Sequence, residues 1–166
     1  EAAGRSGARL FALTPTLQNP TCITLPQRRR QELVAVARRR GLILIEDDPY
    51  SLLAGDAPAP LAALAPERTW HVATLSKVLT PGLRTAFVVT PEGADNATFL
   101  AALRAIALMP APLMTALAAH WVRIGAAKDL LDGVKREAAE RQSLARQILP
   151  ATMQSHPHAL HVWQPL

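Results

Sequence analysis

The residues best suited to chemistry lie in one short stretch, T-L-S-K-V-L-T-P-G-L-R, at positions 74–84. It contains a lysine, Lys77, three hydroxyl side chains and, at its end, Arg84. A lysine amine forms a Schiff base with an aldehyde when part of it is deprotonated. A guanidinium binds phosphate through two parallel hydrogen bonds, and the hydroxyls of Thr74 and Ser76 suit the same phosphate. The stretch therefore points to a ligand that carries both an aldehyde and a phosphate.

Three further polar side chains, Asn19, Asp47 and Tyr50, follow predicted strands earlier in the chain. A carboxylate beside a pyridine nitrogen keeps that nitrogen protonated, because the opposite charge favours the cationic form. The resulting pyridinium is an electron sink for a carbanion. Amide and phenol side chains can hydrogen-bond an oxygen on the same ring. Each residue alone could belong to an ordinary turn, but with Lys77 and Arg84 the set describes pyridoxal 5′-phosphate.

Alternating elements in the first half of the chain would bring these residues to one edge of a sheet. Apolar runs predict four strands, at 9–13, 42–45, 70–75 and 85–90. The sequence T-L-P-Q has the spacing of a capping box, so it predicts a helix with Thr24 as N-cap that ends at Gly41. Further elements are predicted along the second half: helices at 96–108, 112–124 and 128–149, and a strand at 158–163. This order predicts an α/β fold with a largely parallel sheet, in which ligands bind beyond the carboxyl ends of the strands.

Composition narrows the class of protein. The 166 residues are 49% hydrophobic and 19% charged, which predicts a folded chain. No apolar run reaches the ~20 residues of a membrane span, and the single cysteine, Cys22, is consistent with a reducing compartment. We therefore expect a cytoplasmic protein with no membrane partner.

The net charge of +5 comes mostly from two arginine blocks in one predicted helix, Arg28–Arg30 and Arg38–Arg40. Three consecutive helical residues fan around roughly 200°, so neither block makes a single basic stripe. No aromatic residue interleaves with them for base stacking. We interpret both blocks as solvated helix faces rather than as a nucleic-acid surface.

Three motifs resemble the large domain of class I/II aminotransferases, the fold-type I group of pyridoxal-phosphate enzymes. They are N-P-T at 19–21, D-D-P-Y at 47–50 and S-K-x-x-x-P-G-L-R at 76–84. The resemblance covers most of residues 9–163 and implies a three-layer α/β/α domain with a mostly parallel sheet. It also implies a role for each site residue: the cofactor on Lys77, its ring nitrogen on Asp47, its ring oxygen on Asn19 and Tyr50, and its phosphate on Arg84, Thr74 and Ser76.

The resemblance also implies how the chain is divided. Residues 1–125 would be part of the cofactor-binding large domain, and residues 126–166 a long linking helix and the start of a small C-terminal domain. The family's phosphate-binding turn, its ring-stacking aromatic residue and its substrate-binding arginine are not found in these residues. We therefore expect a fragment of a longer protein, incomplete at both ends.

Three segments are similar in sequence to the MocR group of bacterial regulators. Members of this group join a GntR-type winged-helix domain to an aminotransferase-like domain. The segments are T-P-T-L-Q-N-P-T, L-A-P-E-R-T and L-S-K-x-L-x-P-G-L-R. Free-standing transaminases of the kynurenine/2-aminoadipate type share these motifs. The family implies transamination between an amino acid and a 2-oxo acid through a lysine Schiff base, in a homodimer. The alternative is an effector-sensing domain without turnover, which would meet DNA only through a domain absent from this chain.

Two positions depart from simple expectations. Cys22 stands where the family usually has glycine after N-P-T, so its side chain would be strained if its φ is positive. The histidines of H-P-H-A-L-H, at 156–161, lack a recognised structural-zinc spacing. We therefore predict no metal site and interpret this segment as the start of a strand.

Overall fold

Four short strands form one sheet, in the order β1-β2-β3-β4. A computed structural model of the chain describes residues 7–165. The strands are β1 (Leu10–Leu13), β2 (Ile43–Asp48), β3 (Thr69–Thr74) and β4 (Ala86–Val89). The first three are parallel, as predicted, whereas β4 is antiparallel to β3. The reversal follows from the short connection between β3 and β4, because a parallel crossover needs a dozen or more residues.

Six helices and one 3-10 turn connect and cover the strands in the part of the chain that the structure describes. They are α1 (Gln27–Arg40), α2 (Ser51–Ala54), α3 (Leu61–Leu64), α4 (Asn96–Ala107), α5 (Pro112–Arg123), α6 (Ala126–Ile148) and the 3-10 turn Pro81–Leu83. The three predicted C-terminal helices are confirmed to within two residues at each end. Between residues 7 and 165, no helix is both long and apolar enough to cross a membrane.

The start of α1 differs from the predicted capping box. Its N-cap is Pro26, which makes no side-chain cap, and the Thr24 Oγ1 instead accepts a hydrogen bond from the Leu17 N–H at 3.1 Å. Thr24 therefore holds the loop before the helix, because that loop folds back on itself. The predicted end is confirmed, since Gly41 has a φ of +63° and its N–H reaches the carbonyls of Ala37 and Arg38.

The interpretation of Arg28–Arg30 as a solvated face is wrong for Arg30, which is only 1% exposed. Arg30, Val34 and Ala37 form the buried face of α1, at the three- and four-residue spacing of one helix side. The Arg30 guanidinium donates hydrogen bonds to the Pro15 carbonyl at 3.2 Å and to the Thr16 Oγ1 at 2.8 Å. A buried arginine is tolerated here because its donors are paired.

Two buried clusters lie on this framework. The first joins α1 and α3 to the sheet and comprises Val34, Ala37, Leu42, Leu44, Leu61 and Ala65. The second lies towards the carboxyl ends of the strands and comprises Leu17, Cys22, Tyr50, Leu53, Ala54, Leu75, Val78, Leu83, Ala118 and Ala159. Helix α4 contacts the other side of β3, where the rings of Trp70 and Phe99 have centroids 4.9 Å apart. The second cluster positions the site.

The prediction of a strand at 158–163 is wrong. Among the described residues, this segment makes only one isolated β-bridge, between Gln154 and Trp163. Backbone carbonyls of the segment are satisfied by a side chain instead. Gln142 on α6 donates through its Nε2 to the carbonyls of Ala159 and His161, at 2.8 and 3.0 Å. The domain division at 125/126 remains a prediction, and residues 1–6 and 166 lie outside the described range.

Candidate active site

Asp47 lies on the opposite face of β2 from its two acidic neighbours. Successive strand residues point to opposite sides, so Glu46 and Asp48 are buried while Asp47 is exposed. The Thr14 Oγ1 donates a hydrogen bond to the Asp47 Oδ2 at 3.5 Å. Neighbouring atoms that limit its hydration raise the pKa of Asp47, the Thr14 hydrogen bond opposes this, and the negative charge of Asp48 adds to it. A cationic partner would stabilise the ionised carboxylate, which fits a protonated ring nitrogen.

Tyr50 and Asn19 meet beside this carboxylate. Tyr50 is 6% exposed, and burial raises the pKa of its phenol while a hydrogen bond with the Asn19 side chain opposes the rise. The negative charge of Asp47 also raises this pKa, so the three predicted ring contacts share one neighbourhood. Asn19 itself is exposed and precedes Pro20 through a cis peptide bond. This arrangement suits an oxygen on the same ring that Asp47 would hold.

The hydroxyls of Thr74 and Ser76 converge directly after β3. The Thr74 Oγ1 donates to the Ser76 Oγ at 3.1 Å and accepts from the Ser76 N–H at 3.2 Å. Lys77 follows and is exposed, as is Arg84 at the end of the 3-10 turn. Within residues 7–165 the structure gives neither the Lys77 amine nor the Arg84 guanidinium a hydrogen bond or an ion pair. An amine and a guanidinium without protein partners, on the segment that also carries the two hydroxyls, suit a phosphorylated aldehyde.

One buried cluster brings these segments together. Leu17 and Cys22 flank Asn19, Leu75 and Val78 flank Lys77, and Leu83 precedes Arg84; all belong to the cluster that contains Tyr50. The three motifs therefore pack on a common core, although they are far apart in sequence. Core packing of the flanking residues leaves the polar side chains between them free to face a ligand.

Cys22 has the positive φ that the sequence analysis associated with strain, at +59°. It is buried, and its Sγ donates a hydrogen bond to the His161 carbonyl at 3.3 Å. Burial raises the pKa of the Cys22 thiol, so it stays protonated and is a poor nucleophile. Cys22 is therefore a packing residue.

Two side chains at the site were missed by the sequence analysis. Thr14 directly follows β1, so the rule that ligand residues follow parallel strands could have identified it. The His161 ring lies against Tyr50, with centroids 5.6 Å apart. Its neighbour Cys22 is 139 positions away in sequence, so no local pattern could have indicated this contact. Across residues 7–165, no group of three or more His, Cys, Asp or Glu is arranged to hold a metal ion.

Comparison with known proteins places these features in context. The family described as "Aminotransferase class I and II" matches residues 4–159. The HTH-type pyridoxine biosynthesis transcriptional regulator PdxR of Corynebacterium glutamicum is 36% identical over 140 residues, covering 82% of this chain and 30% of the regulator. The 2-aminoadipate transaminase of Thermus thermophilus is 30% identical over 179 residues, covering all of this chain and 44% of that enzyme. The chain thus spans less than half the length of these curated relatives.

Solved structures share the fold. The α-aminoadipate aminotransferase LysN of Thermus thermophilus, complexed with N-(5′-phosphopyridoxyl)-L-leucine, superposes with a TM-score of 0.72 at 28% identity, over 87% of this chain and 39% of that one. An archaeal alanine:glyoxylate aminotransferase gives a TM-score of 0.77 at 26% identity, over 92% and 40%. The fold is that of fold-type I aminotransferases, of which these residues form a partial domain. The chain belongs to the class I and II aminotransferase family.

Proposed function

We propose that this chain is the cofactor-binding part of a pyridoxal-phosphate-dependent aminotransferase, which exchanges the amino group between an amino acid and a 2-oxo acid. The observation that carries the proposal is the set of side chains on one core. An exposed carboxylate, Asp47, lies beside the Asn19–Tyr50 pair, while Lys77 and Arg84 have no partner within residues 7–165. These groups match the chemistry of the cofactor ring, aldehyde and phosphate.

Each residue would have a separate task. The carboxylate of Asp47 would hold the proton on the ring nitrogen, and Tyr50 and Asn19 would orient the ring through its oxygen. Arg84, with the hydroxyls of Thr74 and Ser76, would fix the phosphate. When bound, the cofactor supplies an electron sink for the substrate carbanion.

The proton transfer would fall to Lys77. Its Nζ would hold the cofactor aldehyde, and as a free amine it would take the proton from the substrate Cα. An exposed amine without a competing ion pair is suited to both tasks. Substitution of Lys77 should therefore remove attachment and proton transfer together.

The test is chemical trapping. The protein is incubated with pyridoxal phosphate and reduced with borohydride, and the labelled peptide is mapped. The adduct should lie on Lys77 and be absent in Lys77→Ala, whereas Lys135→Ala, with a lysine removed from α6, should retain it. An adduct that maps to Lys128 or Lys135 would refute the assignment.

A second candidate is an effector-sensing domain of a MocR/GntR-type regulator, favoured by the similarity to PdxR and to the regulator TauR of Rhodobacter capsulatus. Such a domain could use the same site to bind cofactor and amino acid with different affinities in two states, without turnover. Product formation from an amino acid and a 2-oxo acid over many turnovers supports the enzyme. In the full-length protein, which would carry the DNA-binding domain, a spectral change with amino-acid- or cofactor-dependent DNA binding and no turnover supports the regulator.

We also propose that the protein is a cytoplasmic homodimer. Several large apolar side chains on α4, on α5 and between them are exposed, Ile106 by 88%, Leu108 by 74% and Leu113 by 72%. Large apolar side chains that are exposed this close together in sequence are candidates for a surface that a second subunit covers. Light scattering coupled to size-exclusion chromatography of the full-length protein should give twice its subunit mass, and a monomer would argue against the dimer.

A further inference from the structure

The His161 imidazole contacts Tyr50 and the turn that carries Asn19, the two residues of the proposed ring-oxygen pair. Its ring lies 5.6 Å from the Tyr50 ring, centroid to centroid, at an interplanar angle of 51°. Its Nε2 lies 3.4 Å from the carbonyl oxygen of Gln18, the residue directly before Asn19. The imidazole therefore contacts the phenol and the turn that carries the amide at the same time.

The backbone of His161 is itself held from two sides. Its carbonyl accepts a hydrogen bond from the Gln142 Nε2 of α6 at 3.0 Å and one from the Cys22 Sγ at 3.3 Å. Gln142 is 3% exposed, so the first bond is shielded from water. Helix α6 and the loop that carries Asn19 thus together fix the position of the imidazole.

We propose that His161 is a positioning residue that keeps the Tyr50 phenol and the Asn19 turn at a fixed position relative to each other. The imidazole shields one side of the phenol from water, and its Nε2 bond steadies the turn so that the Asn19 side chain stays within reach of the hydroxyl. The proposal rests on the proposed function only for what the phenol contacts. The positioning itself belongs to the cofactor-free chain and can be measured there.

Tyr50 is the sole tyrosine of the chain, so the ultraviolet absorbance of tyrosinate reports its phenol directly. Two substitutions separate the two contacts of His161. His161→Gln removes the ring but keeps an amide that can bond the Gln18 carbonyl, whereas His161→Phe keeps the ring and loses that bond. His158→Ala is the matched control, because its ring packs on His156 in the same segment.

The two variants should move the Tyr50 pKa differently. In His161→Gln water reaches the phenol, so its pKa should fall towards the ordinary value, because burial is the main cause of the rise. In His161→Phe the phenol stays shielded, and a loosened Asn19 hydrogen bond no longer lowers its pKa, so the pKa should not fall. His158→Ala should titrate like the unsubstituted protein.

Three outcomes would overturn the proposal. If the Tyr50 pKa in both variants equals that in His158→Ala, His161 does not position the phenol. If both fall alike to the ordinary tyrosine value, the residue maintains the fold rather than the pair. If His161→Phe falls while His161→Gln does not, the ring is not the shield. Trapping on Lys77 is scored separately, so a protein without the adduct but with the expected titrations would refute the proposed function alone.

Discussion

The two faces of β2 carry carboxylates in opposite environments. On the closed face Glu46, 1% exposed, accepts hydrogen bonds from the N–H groups of Leu61 and Ala62, at 3.0 and 3.1 Å. Its Oε2 also lies 3.0 Å from the His71 Nδ1, and its Oε1 lies 3.7 Å from the Arg30 guanidinium. On the open face, Asp47 has one side-chain hydrogen bond within the described range, the long one from Thr14.

The direction of each pKa follows from this difference. Burial alone would raise the pKa of Glu46, but hydrogen bonds from His71, Leu61 and Ala62 outweigh it and leave the pKa lowered. For Asp47 the pKa is raised, because one hydrogen bond from Thr14 does not offset its limited hydration. A carboxylate whose partners are all protein groups is part of the fold, whereas one left short of partners is available to a ligand.

The largest effect should come from substitution on the closed face. Glu46→Ala leaves Arg30 buried without its ion pair, so the free energy of unfolding should fall by about 3–5 kcal/mol. Asp47→Ala, one position along the strand, removes an exposed group and should change it by no more than about 0.5 kcal/mol. Urea unfolding of both variants measures the contrast. Equal losses would show that the two faces do not differ as the structure indicates.

Cofactor affinity should instead depend on the open face, so Asp47→Ala should weaken it more than substitution of a carboxylate on the closed face. A hydrogen bond to a charged group is worth about 1.5–3 kcal/mol, so Asp47→Ala should weaken pyridoxal-phosphate binding by about 10- to 100-fold. Asp48→Ala should affect stability instead, because its Oδ1 accepts from the Ser51 N–H at 3.0 Å and its Oδ2 lies 3.8 Å from the His71 Nε2. Equilibrium titration of both variants tests this. Greater loss of affinity in Asp48→Ala would mean that the strand is misassigned by one residue.

The same contrast explains what the sequence could and could not predict. The open face was predictable in part, because Lys77 follows a strand in a β-α-β order and ligands bind at that edge. Asp47 was expected after the second strand, but β2 extends to Asp48 and includes it. The closed face was not, because Arg28, Arg29 and Arg30 look alike in sequence and only packing of α1 decides which is buried. Thr24 has the spacing of a cap, yet tertiary folding of the preceding loop gives its hydroxyl to Leu17. Long-range contacts decide both cases.

A smaller effect is expected in how the free energy of unfolding depends on pH, through His71 on the closed face. Hydrogen bonding to Glu46, opposed by burial and aided by the charges of Glu46 and Asp48, raises the pKa of His71 above its ordinary 6.5. The folded protein thus binds this proton more tightly than the unfolded chain does. The contribution to stability is complete below about pH 6.5 and is lost as pH rises through the raised pKa of the folded state.

His71→Gln should therefore flatten the fall in unfolding free energy on the alkaline side of this window. His120→Gln, which removes an exposed histidine from α5, is the control and should leave the slope in place. Urea unfolding across a pH series measures both variants. An unchanged slope in His71→Gln would show that this histidine does not carry the linkage.

Backbone conformation shows a further difference between the faces. In the described range, four non-glycine residues have a positive φ. Three of them lie in the loops that follow β1 and β3 and carry the candidate site: Leu17, Cys22 and Arg84. Strained backbone is retained where the surrounding structure enforces it, and it concentrates at ligand sites. The strain at Cys22 can be isolated, because the side chain is small and its hydrogen bonds to the carbonyls of Pro20 and His161 are lost in both the glycine and the alanine variant.

The smallest effect should therefore appear between Cys22→Gly and Cys22→Ala. Both variants lose the thiol, but only alanine keeps a Cβ at a φ of +59°. A non-glycine residue in this region costs about 1–3 kcal/mol, and the greater freedom of glycine in the unfolded chain offsets roughly 0.4–1 kcal/mol of that. Cys22→Gly should thus be the more stable by about 1 kcal/mol in thermal or urea unfolding. The same pair of residues compared at exposed Ala35 within α1 should give the opposite order, because glycine there costs about 1 kcal/mol of helix propensity. If alanine were equal or better at both positions, the turn would relax away from a positive φ in solution, and the open face would carry no strain at this residue.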